Sequence, residues 1–168
     1  MEPTSMKKTV WLTRSAMLLA IALIIQSMHL ISYITGPIIN AILILAVIFV
    51  GPLSGVLIGC ITPFVAFLTG ILPAVAVPLI PVIMIANITL VLVFWGFNRW
   101  NAYVAWLVAA AAKFAVFYLA VNFVLEIFGI KLPGPLLAAF QLPQLFTALI
   151  GGFAAIIVAR SLKRIKKG

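Results

Sequence analysis

No aspartate occurs in this chain, and it holds two glutamates (Glu2 and Glu126), one histidine (His29) and one cysteine (Cys60). These shortages exclude several kinds of chemistry. A metal centre needs three or four convergent ligands, drawn mainly from Cys, His, Asp and Glu. General acid–base catalysis commonly needs a titratable pair within reach of one substrate. Cys60 has no second cysteine with which to form an internal disulfide, and among Gly and Ile it reads as a small apolar residue. No phosphate-binding glycine loop or dinucleotide fingerprint is present. The composition therefore predicts no catalytic residue, no metal and no cofactor, and the chain is not expected to be an enzyme. Any nucleotide hydrolysis would have to come from a partner.

Charge is scarce as well. Charged residues make up 8% of the chain and hydrophobic ones 66%, with a mean hydropathy of +1.35. A soluble domain keeps about a quarter of its residues charged, so a water-soluble core is ruled out. Six apolar runs, at about 10–28, 37–50, 53–68, 77–97, 101–128 and 142–162, approach the roughly 20 residues that cross a bilayer. The expected fold is all-α: one polytopic domain over 1–168 with six transmembrane helices. Residues 1–9 form a basic leading segment and 163–168 a basic tail. The leading charges resemble the start of a signal peptide, but further membrane spans follow, so a retained first helix is expected.

Lys and Arg favour the cytoplasmic side of a membrane. With the N-terminus inside, Lys7, Lys8, Arg14, Arg99, Arg160, Lys163, Arg164, Lys166 and Lys167 all fall on that side, whereas Lys131 falls in an outer loop. Both termini are thus expected in the cytoplasm of a bacterial cell, whose membrane the protein spans repeatedly. The tryptophans Trp11, Trp95, Trp100 and Trp106 gather near the same interface. The formal charge of +9 then reports topology and attraction to anionic lipid headgroups rather than nucleic-acid binding. The outer loops, about 29–36, 69–76 and 129–141, are longer than the inner ones. The last two are apolar, as a lid folded over something would be.

Lys113 stands out inside a span. Twelve residues into the fifth run, at about 1.5 Å rise per residue, it lies near the bilayer midplane. An ammonium there costs several kcal/mol unless it is paired or hydrated. It reads either as a counter-ion or polar floor for a bound ligand, or as a lysine snorkelling to the interface or bonded to helix carbonyls. Tyr118, Asn122 and Glu126 follow at four-residue spacing and form one polar stripe. This stripe lies about 140° round the helix from Lys113, and it is expected to face the bundle interior and line a site. Asn40, near the outer end of the second run, Asn87 midway along the fourth, Gln26, Gln141 and Gln144 supply further amides. Together they suggest a hydrogen-bonding cavity open to the outside, capped by His29, Ser32 and Tyr33. One ammonium and one carboxylate hint at a polar or zwitterionic ligand.

Small residues one turn apart allow close helix approach. Ala16 and Ala20 do this in the first run, Gly55 and Gly59 in the third, and Gly151 and Ala155 in the sixth. With these features the chain resembles the substrate-binding S components of energy-coupling factor (ECF) transporters. The likeness covers the whole chain: length, six spans, internal termini and basic tail. The Ala16-xxx-Ala20 pair is similar to that family's docking motif, and Gly51-Pro52-Leu53-Ser54-Gly55 to its glycine-rich turn. Where many members carry an acidic residue further along helix three, this chain has Thr62-Pro63-Phe64, so substrate identity does not carry over.

The resemblance implies capture of a vitamin or similar micronutrient from outside. Docking through Ala16 and Ala20 on a transmembrane coupling protein with two ATPase subunits would follow. The pocket would draw on the outer halves of helices four to six and on loops 69–76 and 129–141. Two other readings stay open: a stand-alone carrier, which needs a polar path through both leaflets, and a non-transporting scaffold.

Overall fold

Inside a bilayer every backbone N–H and C=O has to bond within the protein, and an apolar run satisfies this as a helix. The computed structural model describes residues 8–127 and 129–165, with the side chains of Ser32, Val124, Glu126 and Ile165 outside that description. The charges expected at Lys7, Lys166 and Lys167, and the Glu126 and Ser32 side chains, therefore lie outside the described residues.

Helix α1 spans Lys8–Ser27, α2 Ser32–Phe49 and α3 Pro52–Leu68. A 3-10 turn over Ala74–Leu79 leads into α4, Ile80–Phe97. Helix α5, Ala102–Leu119, continues through a π turn at Ala120–Val124 into the single turn α6, Leu125–Ile127. A short α7, Gly134–Ala139, precedes the long α8, Leu142–Ile165. Four of these helical segments are long and apolar enough to cross a membrane, and Tyr33–Phe49 and Pro52–Leu68 are shorter apolar ones. The protein is a six-helix membrane protein.

Local signals set the helix ends. Gly51, at φ 130°, adopts a backbone that side-chain-bearing residues rarely reach, and Pro52 then opens α3 at a position where its missing N–H does no harm. Asn101 caps α5, its Oδ1 accepting from the Tyr103 and Val104 amides at 2.8 and 3.4 Å. The sequence suggests a start for the second span at Pro37, because proline is common in a first helical turn. The helix instead begins at Ser32 and carries Pro37 inside it. Asn40 consequently sits halfway along α2 rather than near its end.

Packing is closest between α2 and α8 and between α4 and α5. A side chain at Gly151 would collide with the Pro37 carbonyl and the Asn40 Cβ, and one at Gly152 with the Trp106 ring. Gly59 lies so near Asn87 that an added Cβ would come within 2.9 Å of that residue's own. These glycines therefore serve packing inside the bundle. Ala16 and Ala20 differ. Both are exposed on α1, a helix that buries Ala22 and Gln26.

The core divides into two layers. One is built from Leu43, Ile44, Val47, Leu90, Val91, Phe94, Ala105 and Ala109 among others, and the second from Ala66, Leu72, Ala76, Leu79, Phe117, Val121 and Phe140 with their neighbours. The first layer adjoins the end that carries Arg99, Arg160 and Lys163. There Arg160 donates to the Tyr103 hydroxyl at 2.8 Å while lying over its ring, and Arg99 lies 5.8 Å from the Trp95 ring. At the opposite end the His29 ring nitrogens lie 2.9 and 3.1 Å from the Ser27 and Thr69 carbonyl oxygens, and the one nitrogen that carries the proton donates, setting the α1–α2 turn beside the end of α3.

Overpacking a close helix contact costs about 1–3 kcal/mol. Gly151→Val is expected to lower the melting temperature of the detergent-solubilised protein by that order of destabilisation. Gly96→Ala, at a helical site with open space around it, is expected to leave it unchanged or slightly raised. Equal melting temperatures for the two variants would show that the α2–α8 contact is not tight.

Candidate functional site

Helix α5 and its continuation present Ala105, Ala109, Lys113, Phe117, Val121 and Leu125 to the interior at four-residue intervals. Lys113 is thereby carried into the bundle with 3% of its surface exposed. Its Nζ donates to Asn40 Oδ1 at 2.6 Å and to Asn87 Oδ1 at 2.7 Å. The snorkelling alternative does not describe this arrangement, because the ammonium is held by α2 and α4 at mid-depth of all three helices.

The amide orientations follow from chemistry. An ammonium only donates, so both asparagines must turn their oxygens toward it and their NH2 groups away. Asn87 Nδ2 then donates to the Gly59 carbonyl at 3.0 Å, and Asn40 Nδ2 to Thr147 Oγ1 at 3.4 Å. Thr147 in turn donates to the Gln144 carbonyl at 3.0 Å. The Gly59 carbonyl is available for a reason visible in the sequence. Pro63, four residues on, has no N–H, so the usual helical donor to Gly59 is missing. Helix α4 supplies the replacement through Asn87.

These groups border a cavity of about 150 Å³, lined among others by Gln26, Asn40, Thr62, Asn87, Lys113 and Gln144. Gln26, 6% exposed, donates from Nε2 to the Thr62 carbonyl at 3.1 Å. Its Oε1 has no hydrogen-bond partner among the described residues. A backbone carbonyl only accepts, so the amide nitrogen must face Thr62 and the oxygen is the free atom.

The structure thus brings together Asn40, Asn87, Lys113 and Gln144 from the residues singled out in the sequence. It separates the others. Tyr118 is 47% exposed on the outside of the bundle, its ring 6.1 Å from that of Phe114. Asn122 donates to the Tyr118 carbonyl at 2.8 Å. The expectation that the Tyr118–Asn122–Glu126 stripe faces the interior does not hold for Tyr118, and Asn122 is half-buried without lining the cavity. The interior face belongs to Phe117, Val121 and Leu125, about 100° away, and Asn122 satisfies its amide one turn back on its own helix. Glu126 stands thirteen residues beyond Lys113, about 20 Å along the helix, so a small zwitterion does not span both.

Tyr33 is 67% exposed and borders a neighbouring recess with Ile31, Ala139, Pro143, Gln144 and Thr147 instead. The pocket follows the expected origin in part. Ile71 and Leu72 come from the 69–76 loop, Asn87 from α4, Lys113 from α5 and Gln144 from α8, but α1, α2 and α3 contribute as well, and the 129–141 loop contributes none of the lining among the described residues. Gln26 reads in the sequence as one more amide, Thr62 as part of the departure from the family pattern on helix three, and Thr147 carries no signal there at all. The relation between Pro63 and Gly59 was the available sign that α3 had a carbonyl to offer.

The family described as "ECF transporter, substrate-specific component" matches residues 11–162. No curated protein and no solved structure matches the chain.

Removing one partner of a buried charged hydrogen bond costs about 1.5–3 kcal/mol. Asn87→Leu deprives both Lys113 and the Gly59 carbonyl and is expected to lower the melting temperature strongly. Asn122→Leu, which breaks only a bond within its own helix, is expected to change it little. Thermal unfolding of both variants in one detergent checks the contrast, and equal losses would deny the Lys113 cluster its structural role.

Proposed function

Because the chain belongs to the substrate-specific components of ECF transporters, we propose that it captures a micronutrient in the Lys113 cavity and hands it to an energy-coupling complex. That complex comprises a transmembrane coupling protein and two ATPase subunits, and the setting is a bacterial cell membrane with both termini of this chain in the cytoplasm.

The observation that carries this reading is the cavity at mid-depth, polar at Lys113, Asn40, Asn87 and Gln26 and floored by apolar packing. Beneath Lys113, toward the basic end, the buried side chains include Leu43, Ile44, Val47, Leu90, Val91, Phe94 and Ala105. A continuous polar route through both leaflets, which a solitary carrier or channel needs, is not supported by that layer. A protein that binds from one side and relies on a partner for release is. A scaffold subunit could use the ammonium to join its helices, but not the cavity beside it.

The docking face is proposed on α1. Ala16 and Ala20 lie one turn apart and exposed, among the exposed apolar residues Leu12, Met17, Ile21 and Ile24. Two methyl-sized side chains make a shallow groove into which a partner helix can settle. Because neither alanine packs inside the bundle, filling the groove leaves the fold intact.

Tagged protein purified from its host in mild detergent is expected to retain a coupling membrane protein and paired ATPases. The double variant Ala16→Trp, Ala20→Trp is expected to lose them while keeping the wild-type melting temperature and small-molecule binding. Retention of the partners by the double variant would place the docking surface elsewhere. Absence of any such partner from the wild type would favour a solitary carrier.

A further inference from the structure

We infer that the cavity takes a small monocarboxylate, with its carboxylate on Lys113. This names the substrate class of the proposed capture site and rests on that reading.

An ammonium has three protons, and Asn40 and Asn87 take two of them. Both partners are neutral amides, so they solvate the charge without balancing it. The sequence offers two carboxylates only. Glu2 precedes α1, and Glu126 is about 20 Å along the helix from Lys113. Among the described residues that line the cavity none is acidic, and Lys113 is the one cation. A positive charge at membrane depth without a counter-ion is costly, and an entering anion supplies one.

The same count sets the charge of that anion. One ammonium balances one negative charge. A phosphate monoester carries about −1.5 to −2 at neutral pH and would leave charge unpaired beside apolar Ile39, Ala66, Leu72 and Ile83. A neutral ligand would leave the ammonium as it was. A single carboxylate matches.

Size narrows the class further. About 150 Å³ is the volume of a cavity that accepts benzene, so the part of the ligand seated beside Lys113 is roughly one ring or a short chain. The apolar remainder of the lining, Ile39, Ala66, Leu72 and Ile83 among it, suits the body behind the carboxylate.

The test uses the purified full chain in detergent, with melting shift and titration calorimetry as readouts. The probes are benzoate, 4-hydroxybenzoate and 4-hydroxybutyrate, the primary amide of each, and phenyl phosphate. Acids are expected to stabilise the protein and their amides and phenyl phosphate are not.

Asn40→Asp places a carboxylate beside Lys113, and the Thr147 hydroxyl can turn to donate to it. This variant is expected to fold, and to bind the acids about tenfold or more weakly, because the counter-ion is now internal. Lys113→Met is expected to abolish the acid response. Binding of amide or phosphate as well as acid, no response to any acid, or undiminished acid binding by Asn40→Asp would each overturn the substrate class. Co-purification with the coupling partners is read separately. If it persists while the acids fail, the subunit's role stands and the monocarboxylate assignment falls.

Discussion

Helices in a bilayer gain little by burying apolar surface against one another, because lipid tails are equally apolar. What orients this bundle is a polar chain strung across it. The Gly59 carbonyl on α3 accepts from Asn87 on α4, Asn87 and Asn40 accept from Lys113 on α5, and Asn40 on α2 donates to Thr147 on α8. Helices α2, α3, α4, α5 and α8 are thus joined through one ammonium group. Each amide is locked in orientation by having an obligate donor on one side and an acceptor on the other. The chain ends where Pro63 has left a backbone carbonyl unmet. The glycines then allow the approach that the bonds require: Gly59 beneath Asn87, and Gly151 beside Pro37 and Asn40.

That arrangement also divides the molecule by depth. On the basic side of Lys113 the interior is filled by branched and aromatic side chains, and beside it lies the cavity. A substrate-specific subunit of a transporter has to hold its ligand without leaking it, and a packed layer under a polar cavity suits the proposed capture site. The long first helix lies mostly outside this core, fastened through Ala22 and Gln26 and otherwise open along much of its length.

The spans were legible from the sequence because hydropathy over about 20 residues is a strong signal with few alternatives. The depth of Lys113 was legible by counting rise along its helix, and Asn40, Asn87 and Gln144 as amides within or beside apolar runs. Which amide meets which cation was not, since register between helices depends on close contacts such as those at Gly59 and Gly151. The stripe from Tyr118 shows a related limit. Four-residue spacing tells which residues share a face. It does not tell where that face points when lipid and core are both apolar, because the usual contrast between a wet side and a dry side is lost. The depth of Asn40 was obscured for another reason: Pro37 has the look of a helix start, and the chain forms more than one turn before it.

If the proposed capture site holds, Lys113 joins scaffold and seat in a way that bears on how such a protein changes over generations. A mutation that alters the charge at the seat also unfastens α2 and α4, and a mutation of either asparagine also alters the seat. Single steps toward a ligand of different charge therefore pass through weakened intermediates. Lineages that shift preference are expected to replace the lysine and its two amides as a set. Residues such as Ile39, Ala66 and Ile83 touch the cavity without bearing the fold's polar bonds. They are free to drift one at a time and trim the shape of what fits.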